Sequence, residues 1–203
     1  MKWTKIADTE LAIEAWKILD TCDLEYHNGW HVQSMYDYLH ETNEPYDEAL
    51  DWAILFHDIV YDDKPEKELR SAKMFVEMVD KFQGCKLRPS DQGRVFSLIM
   101  RTVDHIVMPE IKGSSAIVRA DVHQLTDPIC MLYNYMSIMN ESMYLYKIYE
   151  DDFAENNVKF MKGLHERMDQ NIVSDPLHAH FYGLVKRGVK YTMNISLMLE
   201  GKL

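Results

Sequence analysis

Apolar positions recur at helical spacing along almost the whole chain. Ile6, Leu11, Ala15, Ile18 and Leu19 fall near one face of a first helix over about 4–21, and Tyr26-His27-Asn28-Gly29 breaks the pattern with a turn signal. A second helix, about 30–42, carries His31, Met35, Tyr38 and Leu39 on one side. Asn43-Glu44-Pro45 interrupts it, and Pro45 suits the approach to a new N-terminus. The third helix, about 46–60, is apolar nearly all round and reads as buried. Asp62-Asp63-Lys64-Pro65 predicts a loop, followed by a helix over about 66–83 that Gly84 closes. Ser90 is placed to cap a helix reaching His105, and Pro109 and Gly113 mark the next loop. Beyond it the spacing predicts a short helix near 115–124 and longer ones near 128–149, 151–171 and 175–199. Ser174 caps the last, with Pro176 in its first turn. Sustained two-residue alternation, internal repeats and linkers are all missing. The expectation is an all-α protein with one domain over 1–203: a core over 22–150 and a helical extension over 151–203.

Composition narrows the class without changing that picture. The chain has 203 residues, 47% of them hydrophobic, with 8 Gly and 6 Pro, so a disordered or collagen-like chain is excluded. A formal net charge of −11 disfavours a general nucleic-acid binder, because an acidic surface repels a phosphate backbone. Cys22, Cys85 and Cys130 are too few and too scattered for a disulfide framework, which predicts reduced thiols in a cytoplasmic protein. The N-terminal residues carry acids inside any apolar run, unlike a signal peptide, and no uncharged apolar stretch of about 18 residues supports a membrane partner.

Glycine-rich phosphate cradles, a GxSxG nucleophile turn and an HExxH zinc motif are all missing. What the chain offers instead is an ordered set of histidines and aspartates: His27, His31, His57-Asp58, His105 and Asp121. His57-Asp58 ends the apolar run Trp52-Ala53-Ile54-Leu55-Phe56, so two ionisable groups are expected at the end of a buried helix. A buried carboxylate costs several kcal/mol unless a cation or metal pairs with it. His31 and Asp121 lie on two other mostly apolar predicted helices, which makes four groups of ligand type on three such helices.

The order His31, His57-Asp58, Asp121 resembles the HD superfamily of metal-dependent phosphohydrolases. The closer resemblance is to a group of predicted HD phosphohydrolases with features similar to Tyr26-His27-Asn28-Gly29-Trp30-His31-Val32, Leu55-Phe56-His57-Asp58-Ile59-Val60-Tyr61-Asp62, Glu68-Leu69-Arg70-Ser71-Ala72, Thr102-Val103-Asp104-His105 and Ala120-Asp121. It spans about 26–125; beyond that only scattered features recur. The resemblance implies an HD-type helical bundle with extra C-terminal helices, and a divalent metal held by His31, His57, Asp58 and Asp121. It further implies hydrolysis of a small phosphorylated compound, a nucleotide foremost, by attack of a metal-bound water.

Two imidazoles and two carboxylates suit Mn, Fe, Co, Ni or Zn, with Mg also open. Adjacent helical residues project about 100° apart, so His57 and Asp58 reach one ion only near a helix end or irregularity. Asp58 and, in support, Glu68 and Asp62 are the expected catalytic carboxylates, orienting water or moving protons. His27, His105, Arg70, Arg101 and Lys64 are the expected substrate contacts, with Arg119 also near the motif segments, because phosphate recognition needs cations. Tyr61-Asp62 lacks the glutamate of the Glu-Asp that follows the His-Asp pair in alarmone hydrolases. A di-iron oxygenase, with His27 or His105 as added ligands, and a non-catalytic nucleotide-binding regulator remain alternatives. The methionine- and tyrosine-rich segment from Met131 to Tyr149 reads as core packing or a homo-oligomer interface.

Overall fold

The computed structural model describes residues 2–82 and 87–199, so the predicted stop at Gly84 and the Cys85 thiol lie outside the described residues. Among the described residues the fold is all-α, with no strand. The helices are α1 (Glu10–Thr21), α2 (Gly29–Glu41), α3 (Glu48–Phe56), α4 (Lys67–Lys81), α5 (Pro89–Ile99), α6 (Arg101–Asp104), α7 (Ser114–Val122), α8 (Pro128–Tyr146), α9 (Glu150–Ser174) and α10 (Ala179–Leu199). Single 3-10 turns occupy His123–Thr126 and Pro176–His178. No helix among the described residues is long and apolar enough to cross a membrane.

The chain forms two compact units, Met1–Val103 with Met108–Asp121, and Asp104–Val107 with Val122–Leu203. The division falls at Asp121 rather than near residue 150, and α8 belongs with α9 and α10.

In the first unit α3 is the central element. Residues 49–56 are all buried, and α1, α2, α4 and α5 pack around them. Its N-terminus is set by Asp47, whose carboxylate accepts from the amides of Ala49 and Leu50, both at 3.1 Å. Asp47 also pairs with Arg94 at 2.8 Å and Lys112 at 2.7 Å, and these cations outweigh burial to hold its carboxyl at about 2.

The first helix begins at Glu10, not near residue 4, because the preceding segment is committed elsewhere. Buried Asp51 accepts from the Thr4 hydroxyl at 2.7 Å and the Lys5 amide at 2.9 Å, and the Trp3 indole donates to the Glu44 carbonyl at 2.8 Å. Residues 3–5 are thereby strapped against the region around α3, and Thr9 caps α1 through the Ala12 amide.

In the second unit α9 and α10 form the main contact, with α8 and the 123–126 turn against them. Buried Asn171 on α9 receives the Val107 amide and donates to the His105 carbonyl, both at 2.8 Å. That pair of bonds attaches residues 104–107 to this unit. A Cβ at Gly188 would lie 1.7 Å from the Leu125 carbonyl oxygen, so α10 approaches that turn at a distance only glycine permits. Ser174 ends α9 instead of capping the next helix. Asp175 precedes the Pro176–His178 turn without a side-chain cap bond; its carboxylate instead receives the Tyr182 hydroxyl at 2.9 Å and lies 3.0 Å from the His178 ring nitrogen. Ser90 likewise lies inside α5, which starts at Pro89 behind Arg88, and the predicted run to His105 breaks at Met100.

Candidate metal centre

Three short-range features aim four ligand-type side chains at one point of the first unit. Asn28 caps α2 by accepting from the amides of Trp30 at 2.8 Å and His31 at 3.4 Å. The helix therefore starts so that His31 turns inward in the first turn, while Trp30 next to it is exposed. The Asn28-Gly29 turn separates His27 from His31, as the sequence indicated.

The second feature is the end of α3 at Phe56, with His57 as its C-cap and Asp58 beyond it. Released from the 100° helical step, the two neighbours both face inward. The Val60 amide donates to the buried Ser71 hydroxyl on α4 at 3.1 Å, which anchors the backbone leaving the pair. The third feature is α7, which carries Asp121 in its last turn. Arg119 fixes that helix: it is buried and donates to Glu44 at 2.7 Å, Tyr38 at 3.3 Å and Ser115 at 3.2 Å. Arg119 is thus held in an internal ion pair and not presented to a phosphate.

His31 Nε2 lies 3.2 Å from His57 Nε2 and 3.2 Å from Asp121 Oδ1, and His57 Nε2 lies 3.0 Å from Asp58 Oδ2. The cross distances, His31 to Asp58 and His57 to Asp121, are both 3.9 Å. All four side chains are at most 12% exposed. One ligand atom each from His31, His57 and Asp58 falls within 4.8 Å of the others.

The spacing fits a small divalent ion. With bonds near ~2.1 Å, neighbouring ligand atoms of an octahedral or tetrahedral ion stand roughly 3.0–3.4 Å apart, and opposite ones about 4.2 Å. His57 Nδ1 sits 2.8 Å from the Ile54 carbonyl. A carbonyl only accepts, so Nδ1 carries the hydrogen and Nε2 is the atom turned to the cluster, the outer-contact arrangement usual for metal-ligating histidines. The Tyr26 ring packs 4.8 Å from the His31 ring, and His31 Nδ1 has no hydrogen-bond partner among the described residues.

Electrostatics favours a cation at this point. Burial alone would lower the His57 imidazole, but Asp58 and Asp121 raise it to about 9. Burial pushes the Asp58 carboxyl up, and His57, His27 and His31 outweigh it to hold the group at about 2.

The supporting residues take four different placements. His27 is half-buried, stacks on Tyr61 with ring centroids 3.5 Å apart at 13°, and stands edge-on to Tyr26 at 4.8 Å. It is close enough to Asp58 to lower that group's pKa. Asp62 and Arg70, assigned separate roles from sequence, form a two-pronged pair at 2.8 and 2.5 Å. Arg70 holds the Asp62 carboxyl well below its usual range, which makes it a poor proton acceptor. Arg70 also donates to the carbonyls of Lys64 and Pro65, both at 3.0 Å, so its guanidinium organises this loop. Glu68 is half-buried in the first turn of α4, Lys64 is exposed in the loop, and Arg101 begins α6. His105 has φ 54° and belongs to the second unit, with its ring edge-on to Phe160 at 6.4 Å.

The sequence reading overlooked Tyr61 and Lys67 as neighbours of the centre. The Lys67 ammonium lies 3.5 Å from the Tyr61 ring centroid, in the same aromatic group as His27. Tyr61 stood inside a quoted motif, but its contact with His27 spans a turn whose path no spacing reveals. Comparison of the chain with protein-family models, curated proteins and solved structures finds no match.

Proposed function

We infer that the protein is a metal-dependent phosphohydrolase acting on a small phosphorylated compound, with nucleotides the first class to test. The observation that carries this reading is the buried convergence of His31, His57, Asp58 and Asp121 at 3.0–3.9 Å. These four residues would hold a divalent ion such as Mn, Fe, Co, Ni, Zn or Mg, the class their two nitrogens and two oxygens suit. Such an ion supplies Lewis acidity to a phosphoryl oxygen and makes water acidic enough to attack phosphorus near neutral pH.

The chain's own residues take the remaining tasks. Ile54 and the end of α3 keep the His57 ring turned inward, and Ser71 keeps the following backbone in place. His27, stacked on Tyr61 and close enough to Asp58 to lower its pKa, is the leading substrate contact in this account. His27, Lys64, Lys67 and Arg101 are the candidate phosphate contacts in this account, while Arg70 and Arg119 form ion pairs with Asp62 and Glu44.

The test is phosphate release from a nucleotide panel with Mn, Co, Ni or Mg, comparing the natural protein with Asp58→Ala. Metal-dependent release by the natural protein alone is expected, together with a drop of at least about a hundredfold in turnover and loss of bound metal in the variant. Full activity of a helical, metal-free Asp58→Ala protein would reject the mechanism.

A further inference from the structure

The second unit carries a helix with two apolar faces. Met131, Tyr135 and Met139 of α8 are buried, and Tyr135 and Met139 pack with Phe153 in a core joined by Ile138, Met143 and Ile195. Away from that core, Ile129 is 70% exposed, Leu132 51%, Tyr133 73%, Met136 45% and Tyr144 58%. Their steps of three, one, three and eight residues place them on one stripe running the length of the helix. Exposed Asn140 falls on the same arc, as does Met143, which turns to the core.

Within the helix the stripe carries no charge; Lys147, the residue after α8, lies 5.2 Å over the Tyr144 ring at its end. Between Pro128 and Tyr146 the single charged side chain is Glu141, and it is buried. On a chain with a net charge of −11, a 19-residue helix that presents no charge to solvent is the place where two copies meet with least repulsion.

The area is also of the right order. Side chains of this size expose about 150–250 Å² when free, so the five present roughly 600 Å². A standard stable interface takes about 800 Å² from each partner. Tyrosine and methionine are the residue types enriched at the centres of such interfaces. A lipid surface is the poorer match, because a helix lying on a membrane carries Lys and Arg along its polar side and α8 has neither.

We propose that the protein is a homodimer in which the Ile129–Tyr144 stripe of α8 packs against the same stripe of a second copy. In such a two-fold contact the middle of the stripe lies on the axis, so Met136 faces its own counterpart. This holds whether or not the protein is a hydrolase.

The experiment is light scattering across a micromolar dilution series of the full chain, with circular dichroism as the check on folding. The natural protein should show twice the chain mass. The double variant Leu132→Glu, Tyr133→Glu should weaken dimerisation by on the order of a hundredfold at unchanged helicity, since each change acts twice in a symmetric contact. Val173→Glu, at a residue 81% exposed on α9 and off the stripe, should leave the dimer intact. Should the double variant not fold, Met136→Cys in a Cys130→Ser background serves instead, and mild oxidation should give a disulfide-linked dimer. A natural protein that stays monomeric throughout, a folded double variant that dimerises as tightly, or a Met136→Cys protein that does not cross-link would each overturn the proposal. A monomer that sediments with phosphatidylserine vesicles would overturn it in favour of a membrane surface.

Discussion

His27 shows how much a single side chain depends on neighbours that are remote in the local pattern. Its ring lies flat on Tyr61, and the Lys67 ammonium sits 3.5 Å from the same tyrosine ring. An aromatic contact of this kind is worth about 1 kcal/mol, so removing it should let His27 leave its place beside Asp58 without touching the four candidate ligands. Tyr61→Ala is therefore expected to lower kcat/KM roughly fivefold to tenfold while bound metal stays at the natural stoichiometry. Tyr61→Phe, which keeps the stack, should restore most of the loss. Metal analysis separates this from a defect in the centre itself: a Tyr61→Ala protein that has lost its metal would show that the tyrosine supports the cluster instead. The four ligand-type residues were legible in sequence because each interrupts an apolar helix with a group that must be paired. The uses of Asp62, Arg70 and Arg119 were not. A loop brings Asp62 onto Arg70, and Arg119 meets Glu44 across 75 residues, so neither partner is visible from local spacing.

Helix identity at the element scale followed from periodicity, whereas helix ends followed from individual hydrogen bonds. The sequence predicts this helix to about residue 60, yet α3 stops at Phe56, and that early stop is what allows His57 and Asp58 to converge. The other end of α3 rests on Asp47, which joins a helix cap to Arg94 and Lys112. Asp47→Asn should keep the cap and remove the charge. The folded carboxyl is lowered to about 2 from an ordinary value of 3.8. The folded protein therefore binds this proton less readily than the unfolded chain, and ionisation contributes stability above pH 4 that is lost as pH falls towards 2. The variant is expected to be about 2 kcal/mol less stable near neutral pH, with the gap closing between pH 4 and pH 2. Urea unfolding across that range checks it, and a difference independent of pH would show that packing, not charge, is responsible.

At the scale of the whole molecule, one continuous helical pattern concealed two compact units. The chain passes between them at Val103, Val107 and Asp121; Pro109 marks a loop beside Val107, but Val103 and Asp121 lie next to no glycine or proline that would mark a linker in sequence. Buried Asn171 explains why residues 104–107 side with α9, but an asparagine inside a predicted helix announces nothing of the kind. The division gives the candidate centre a distinctive signature. All four tryptophans, Trp3, Trp16, Trp30 and Trp52, lie in the unit that holds His31, His57, Asp58 and Asp121, while α8, α9 and α10 contain none. Tryptophan fluorescence therefore follows the unit with the centre, and far-ultraviolet dichroism follows both. Units with separate cores are expected to unfold in separate steps, and an ion that binds one native unit stabilises that step alone. At a free concentration a hundred times its dissociation constant, a divalent ion should raise the fluorescence-detected unfolding free energy by about 2.7 kcal/mol. The remaining dichroism transition should stay where it was, and Asp58→Ala should abolish the shift. Fluorescence and dichroism transitions that coincide and move together would mean that the two units unfold as one. A metal-independent fluorescence transition would remove the ion from the centre, and the hydrolase reading with it.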